Sequence, residues 1–305
     1  MVTRPDKPLG RNKILTPSAT KLWALENKVP VITPDSLKKD APDRLDLYDA
    51  IKKVGPFLAA VSDYGLIIPE AIFNMPRLGT LNVHFSKLPD LRGPSPVQFT
   101  LFRGDKEAWI TIFKLENPPQ LEIKMDSGPI LFQQSYPILP NDTTATLYTR
   151  LFQEASKVLP NVINDFLQLK LKLQSQNHSN AIFCRFLTKD DGFIEWSTLI
   201  KAINGECLVI DELPKIQQEA LKTKKSVILV IPPTTRAPRI SKNASLRDPG
   251  QARMIDCVYN FYQAVTPWPG VWTIYKNKRM KVISCHLENE KLVLDLVQIE
   301  GKTPM

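Results

Sequence analysis

Leu81-Asn-Val-His-Phe-Ser-Lys-Leu-Pro-Asp-Leu-Arg-Gly93 is the stretch whose reading decides the fold. It opens as a short run with strand character. Alternate side chains of a strand share a face, so Asn82 and His84 point the same way. The strand then breaks into a loop ending at Arg92-Gly93, and Pro94-Ser95-Pro96 follows, with Ser95 placed as a helix N-cap and Pro96 at the first helical position. Polar side chains at the end of a strand are costly to place in a core. In an α/β sheet, however, that end is where ligands bind. Farther along, Lys124-Met-Asp-Ser-Gly-Pro129 sets one carboxylate, Asp126, in a turn rich in Ser, Gly and Pro. Asn, His and Asp can together polarise a carbonyl, hold an oxyanion and move a proton. The residue types alone leave the reaction class open.

The chain has 305 residues, of which 43% are hydrophobic and 23% charged. That composition is ordinary for a globular protein and argues against disorder. The length is enough for about two domains with real cores. A formal net charge of +9 favours an acidic partner, nucleic acid first among them. Cys184, Cys207, Cys257 and Cys285 are far apart and lack Cys-x-x-Cys spacing, so neither a zinc site nor a disulfide framework is indicated. No apolar run reaches membrane-spanning length, and the first residues carry no signal core.

The pattern Asn82-Val-His84-x-Ser86-x-Leu88-Pro89-x-x-Arg92-Gly93, followed by Met125-Asp126-Ser127-Gly128-Pro-Ile, resembles the two-part signature of the folate-dependent formyltransferases. Within that family it is most similar to the branch that acts on methionyl-tRNA. The resemblance implies an α/β fold: a Rossmann-like, mostly parallel catalytic domain over residues 1–173, a linker over 174–180, and an OB-like β-barrel domain over 181–305. It implies transfer of the formyl group of 10-formyltetrahydrofolate to the α-amine of methionine on initiator tRNA, with no metal. Asn82 and His84 would donate to the developing oxyanion, and Asp126 would orient His84 and help move the proton. Tyr64, Gly65, Ser86, Leu88, Pro89, Arg92 and Gly93 would surround the folate.

The front of the chain, a basic loop rich in Pro and Gly, carries Pro5-Asp-x-Pro-x-Gly-Arg11. This matches the family loop that reaches into the tRNA acceptor stem, with Arg11 and Lys13 as its cations. The family's opening strand–helix–strand, roughly 30 residues for such a unit, would be missing before it, leaving an exposed sheet edge. The sequence also departs from the family at Asp63, Phe85 and Lys124, where Ala, a small residue and Gly are usual.

In chain order, a short helix opens at Pro17-Ser18, Val29–Thr33 reads as a strand, and Pro34-Asp35-Ser36 restarts a helix. Leu45, Leu47, Ile51 and Val54 lie at helical spacing. Phe57–Val61 is an apolar run expected to form a strand buried on both faces. Trp109–Leu115 and Ile130–Ile138 read as strands. Asn141-Asp-Thr-Thr144 caps a long helix with Leu147, Leu151, Ala155, Val158, Val162 and Phe166 on one stripe, kinked at Pro160. His178, in the polar linker, is expected to be solvent-exposed. A strand is expected over Ser226–Ile231, and a helix over Gln251–Ala264 with Met254, Cys257, Val258 and Phe261 inward. Three alternating strands, Val271–Tyr275, Arg279–Leu287 and Leu292–Ile299, fit a small barrel. Arg236, Arg239 and Lys242, with Lys278 and Arg279, are the candidate tRNA contacts of the second half, and Lys276 and Lys281 extend the basic rim.

Three rival readings remain: a formyltransferase for a small-molecule amine, a formyltetrahydrofolate hydrolase, and a non-catalytic tRNA-binding protein. The basic loop and basic barrel argue against the first, since a small acceptor needs neither. A monomer is expected, in a bacterial cytoplasm or, alternatively, a mitochondrial matrix.

Overall fold

The computed structural model describes residues 1–9, 12–122, 125–206, 208–224 and 254–305. Arg11, Lys124, Cys207, Arg236, Arg239, Lys242 and the strand expected over Ser226–Ile231 lie outside the described residues. In chain order the first elements are β1 (Lys7–Leu9), β2 (Ile14–Thr16), α1 (Ala19–Glu26), α2 (Pro42–Val54), β3 (Ala59–Ser62), α3 (Glu70–Phe73) and β4 (Thr80–His84). Then come α4 (Pro96–Phe102), β5 (Glu107–Lys114), β6 (Ile130–Pro137), α5 (Thr144–Leu167), α6 (Trp196–Asn204) and α7 (Lys215–Lys222). The last are α8 (Met254–Val265), β7 (Val271–Tyr275), β8 (Lys278–Glu288) and β9 (Lys291–Ile299). Chain contacts divide into two compact units: Met1–His84, Ile110–Gln134 and Lys157–Asn180 form one, and Phe85–Trp109, Ser135–Ser156 and Ala181–Met305 the other. No helix among the described residues is long and apolar enough to cross a membrane.

In the first unit, β4 is held on both edges. It runs parallel to β3 and antiparallel to β5, with Asn82 opposite Phe113 and His84 opposite Thr111. The sheet order is β3-β4-β5-β6, so the described sheet is mixed where a mostly parallel one is expected. Ser18 caps α1 as its position suggests, accepting from the Lys21 backbone N–H at 3.1 Å.

Several local expectations fail for identifiable reasons. The basic front is not wholly loop, because β1 and β2 pair as an antiparallel ribbon. Of the strand expected over Val29–Thr33, only an isolated parallel bridge from Ile32 to Val2 forms. No helix forms at Pro34-Asp35-Ser36, whereas the helix that the spacing of Leu45, Leu47, Ile51 and Val54 predicts forms as α2, from Pro42. Proline preorganises a first helical turn, and Pro42 rather than Pro34 has a helical run behind it. Phe57–Val61 is not buried on both faces: the strand is Ala59–Ser62, its residues alternate between half-buried and exposed, and Phe57 is 54% exposed. β3 is the outer strand of the described sheet, hydrogen-bonded to β4 on one edge, so fewer neighbours cover it.

In the second unit, α4 is almost wholly buried and begins with Pro96 after Ser95. Ser95 stands at the N-cap position, but its side chain accepts no hydrogen bond from the helix. Phe99 meets Phe102 edge-to-face at 6.0 Å between ring centroids, and Phe102 stacks on Phe261 of α8, also at 6.0 Å. Cys257, Val258 and Phe261 face inward from α8 as their spacing requires. The helix α5, whose residues belong to the second unit up to Ser156 and to the first from Lys157, runs through Pro160 and buries Leu147, Leu151, Ala155 and Val162 from its expected stripe. The strands β7, β8 and β9 form an antiparallel sheet in that order, with a register shift between Val282 and Cys285. Among the described residues, these three strands represent the expected barrel. Residues of the aromatic core should carry stability that exposed ones do not. Phe102→Ala should cost about 3–5 kcal/mol in urea unfolding, whereas Phe57→Ala should stay within about 0.5 kcal/mol of the parent.

Candidate active site

Three polar side chains of the first unit define the candidate site. Strand alternation puts Asn82 and His84 on one face, and Leu81 and Val83, which alternate with them, are buried on the other. The His84 ring is buried and meets Phe113, the residue opposite Asn82, edge-on at 6.4 Å. Its Nδ1 lies 3.8 Å from Asp126 Oδ2, and both side chains are largely enclosed. That separation is an ion-pair distance rather than a hydrogen bond. Catalytic contacts commonly stand long without substrate and tighten when it binds.

The turn that presents Asp126 is fixed by backbone constraints. Asp126 itself has φ +49, the left-handed region a non-glycine residue enters only where surroundings hold it. Two residues on, Gly128 must be glycine, because a Cβ there would lie 1.8 Å from the Lys114 carbonyl oxygen. The Lys114 N–H donates to the Pro129 carbonyl at 2.9 Å, stitching the turn to the end of β5. Gln176, from the segment expected to be a featureless linker, is buried, and its amide donates to the carbonyls of Asp126 at 2.8 Å and Gly128 at 2.7 Å. Beside it, Gln174 exchanges two backbone hydrogen bonds of 2.8 Å with Ile130. His178, expected to be exposed, is half-buried. Nothing in the sequence singles out Gln176, since its partners are some fifty positions away.

Tyr64 and Gly65 follow β3 in the same unit. The Tyr64 hydroxyl is buried with no hydrogen-bond partner among the described residues, and burial pushes the phenol above its ordinary value, with the Arg4 cation opposing. Arg4 Nε donates to the Tyr64 carbonyl at 2.9 Å. Asp63 is an exposed loop residue with φ +47.

The loop after His84 belongs to the second unit. Ser86 and Leu88 are buried there, and Ser86 Oγ donates to the Asp90 carbonyl at 2.5 Å. Arg92 is 1% exposed; its N–H donates to Ile182 and its carbonyl accepts from Cys184, both at 2.8 Å. Gly93 has φ +112, and a Cβ there would lie 2.2 Å from the Cys184 carbonyl. Pro89 is half-buried. Ser86, Lys87, Leu91 and Trp109 are among the residues lining a cleft of about 330 Å³ in this unit, and Lys87 Nζ stands 4.3 Å over the Trp109 ring.

Of the candidate tRNA contacts, Lys13 is exposed in the turn between β1 and β2. Lys278 and Arg279 are exposed at the start of β8 beside Lys276 and Lys281. Arg279 lies 4.1 Å over the Trp272 ring, and Tyr275 pairs with Lys278 across the strands. Trp272 also meets Phe193, and Tyr275 meets Trp196, each at 4.7 Å, so the aromatic rings pack within the protein and the exposed cations are the groups suited to a phosphate backbone.

Residues 1–163 match the family model described as formyl transferase, and residues 254–295 match the formyl transferase C-terminal domain. A methionyl-tRNA formyltransferase of Idiomarina loihiensis is 32% identical over 250 residues, covering 81% of this chain and 74% of that one. One from Legionella pneumophila is 34% identical over 194 residues, covering 64% of this chain and 58% of that one. Among solved structures, methionyl-tRNA formyltransferase from Clostridium thermocellum shares the fold with a TM-score of 0.52 at 17% identity, covering 92% of this chain and 91% of that one. HypX from Aquifex aeolicus in complex with tetrahydrofolic acid gives a TM-score of 0.52 at 12% identity, over 87% of this chain and 35% of that one.

The Asp126 turn should depend on Gln176. Gln176→Leu strips two buried carbonyls of a donor and should cost about 1–3 kcal/mol. Urea unfolding of the variant beside the parent measures it.

Proposed function

This chain belongs to the formyl transferase family, and we propose that it transfers the formyl group of 10-formyltetrahydrofolate to the α-amino group of methionine on initiator tRNA. It is a formyl-transferring enzyme, and its curated relatives are methionyl-tRNA formyltransferases. The contact that carries the reading is His84 against Asp126 at 3.8 Å, on the strand face that Asn82 shares.

In the reaction the methionyl amine attacks the formyl carbon, the bond from that carbon to the folate nitrogen breaks, and a proton passes from amine to leaving nitrogen. Negative charge develops on the formyl oxygen on the way. The Asn82 amide and the His84 ring donate to that oxygen as an oxyanion hole does. Asp126 orients His84, balances the positive charge His84 acquires, and helps carry the proton. The co-substrate fits the donor set: its formyl oxygen needs donors and its departing nitrogen a proton, which the Asn82, His84 and Asp126 side chains supply. Tyr64, Gly65, Ser86, Leu88, Pro89, Arg92 and Gly93 are assigned to the folate.

Residues 1–173 make the catalytic domain, 174–180 the linker, and 181–305 the domain that tracks the tRNA. Arg11, Lys13, Arg236, Arg239, Lys242, Lys278 and Arg279 meet its phosphates. The chain acts as a monomer in a bacterial cytoplasm or a mitochondrial matrix, wherever initiator tRNA is charged.

Formyl transfer from 10-formyltetrahydrofolate to charged initiator tRNA tests the assignment directly. Asn82→Ala and His84→Ala should each lower turnover by roughly 10²–10³ while the far-ultraviolet circular dichroism shows both variants folded. Near-parental turnover in either variant would remove that residue from the site. Replacing Lys278 and Arg279 together by Ala should weaken tRNA binding and lower its salt dependence by about two units of slope, with folate binding unchanged.

A further inference from the structure

The end of α4 carries a buried cation that the reaction above does not use. Arg103 follows the last residue of α4, and its side chain is 3% exposed. Its Nη1 donates to Asp90 Oδ2 at 2.8 Å and its Nη2 to Asp90 Oδ1 at 3.1 Å, a two-pronged fork that only a guanidinium makes. The same guanidinium donates through Nε at 2.9 Å and Nη2 at 2.6 Å to Thr223 Oγ1, just past the end of α7. Thr223 spends its own proton on the Ala220 carbonyl at 2.6 Å, so the hydroxyl presents its lone pairs to Arg103. Lys224 Nζ reaches the Arg103 carbonyl at 2.9 Å and Asp105 at 3.1 Å. Asp105 stands 3.9 Å from Arg103 Nη1, so Asp90 is the closer counter-ion.

Asp90 is also the hub of the turn in front of it. Its N–H donates to the Lys87 carbonyl at 2.9 Å, and its carbonyl accepts from Ser86 Oγ at 2.5 Å. The far end of the loop is clamped through Arg92 to Ile182 and Cys184. Between those anchors, the Arg103 fork ties the turn to the buried helix.

We propose that Arg103 is a positioning residue for formyl transfer, gripping Asp90 so that the Ser86–Gly93 loop is held in the shape that receives the folate. The inference rests on the assignment of that loop to the folate. Thr223 sets the plane of the guanidinium, and Asp90 transmits the constraint to Ser86. A lysine cannot replace Arg103, because a point donor satisfies one carboxylate oxygen and leaves the other, and Thr223, without a partner.

The test is tetrahydrofolate titration of the full chain, followed by intrinsic fluorescence, beside steady-state formyl transfer. Arg103→Lys and Asp90→Asn should each weaken tetrahydrofolate binding and raise the KM for 10-formyltetrahydrofolate by about tenfold. The KM for charged tRNA and kcat should stay within about twofold. The double variant should be no worse than either single one, as expected of residues acting as a unit. Thr223→Val, which keeps the ion pair and the side-chain volume, should give about threefold and guards against a variant that fails to fold. Folate binding unchanged in Thr223→Val and in any folded single variant overturns the proposal, as does equal loss of folate and tRNA affinity. If the parent binds tetrahydrofolate and only the variants behave otherwise, the fault lies with Arg103. If the parent itself binds no tetrahydrofolate, the folate reading of the loop fails, and the proposal with it.

Discussion

Strand β4 can offer two polar side chains to a ligand only because both of its edges are already hydrogen-bonded. Paired with β3 on one side and β5 on the other, its backbone groups are satisfied, and its position and twist are fixed by neighbours rather than by its own five residues. Period-two alternation then does the rest. Leu81 and Val83 are committed to the core, so Asn82 and His84 are committed to the opposite face. A slip of one residue in the β4–β5 register would exchange the faces of the polar and the apolar pair. The geometry of the candidate site is thus protected by the same energy that holds the core.

The Asp126 turn is held by a different logic. Its carboxylate comes from a left-handed residue in an irregular segment, where no ladder fixes the backbone. Position there comes from outside holds, among them the close approach of Gly128 to the Lys114 carbonyl, the bond from Lys114 to Pro129, and the Gln176 amide. Each hold costs sequence freedom at a position distant from the chemistry. The Ser86–Gly93 loop repeats the scheme, with the Gly93 approach to Cys184, the Arg92 bridge and the Arg103 fork. Both loops leave a strand end, and both are braced by contacts from far along the chain.

This division explains what could be read from the residues. Asn82, His84 and Asp126 were legible because they lie in short motifs whose local structure, strand end and tight turn, is dictated within a few residues. The long helix α5 was legible for the same reason, through its stripe and the Asn141–Thr144 cap. Gln176 and Arg103 were not, because a single Gln or Arg acquires meaning only from a partner that tertiary structure brings to it. Phe57–Val61 was misread because apolar composition records what a strand prefers, while burial depends on which strands lie beside it. Pro34-Asp35-Ser36 carries a start signal for a helix that the following residues do not continue.

Phe85 shows how a departure from a family pattern can be absorbed. It follows His84 directly, and alternation turns it away from the site face. There it is buried, meeting Tyr148 at 5.6 Å and Phe152 at 4.8 Å, both edge-to-face. Such pairs add about 0.5–1.5 kcal/mol beyond the burial itself. The large ring is therefore taken up by aromatic packing. It anchors the first residue of the loop that Asp90 and Arg103 hold farther on. A small side chain at this position would leave Tyr148 and Phe152 facing a void, so in this chain the bulk of residue 85 and the aromatic pair of α5 have to be considered as one packing unit.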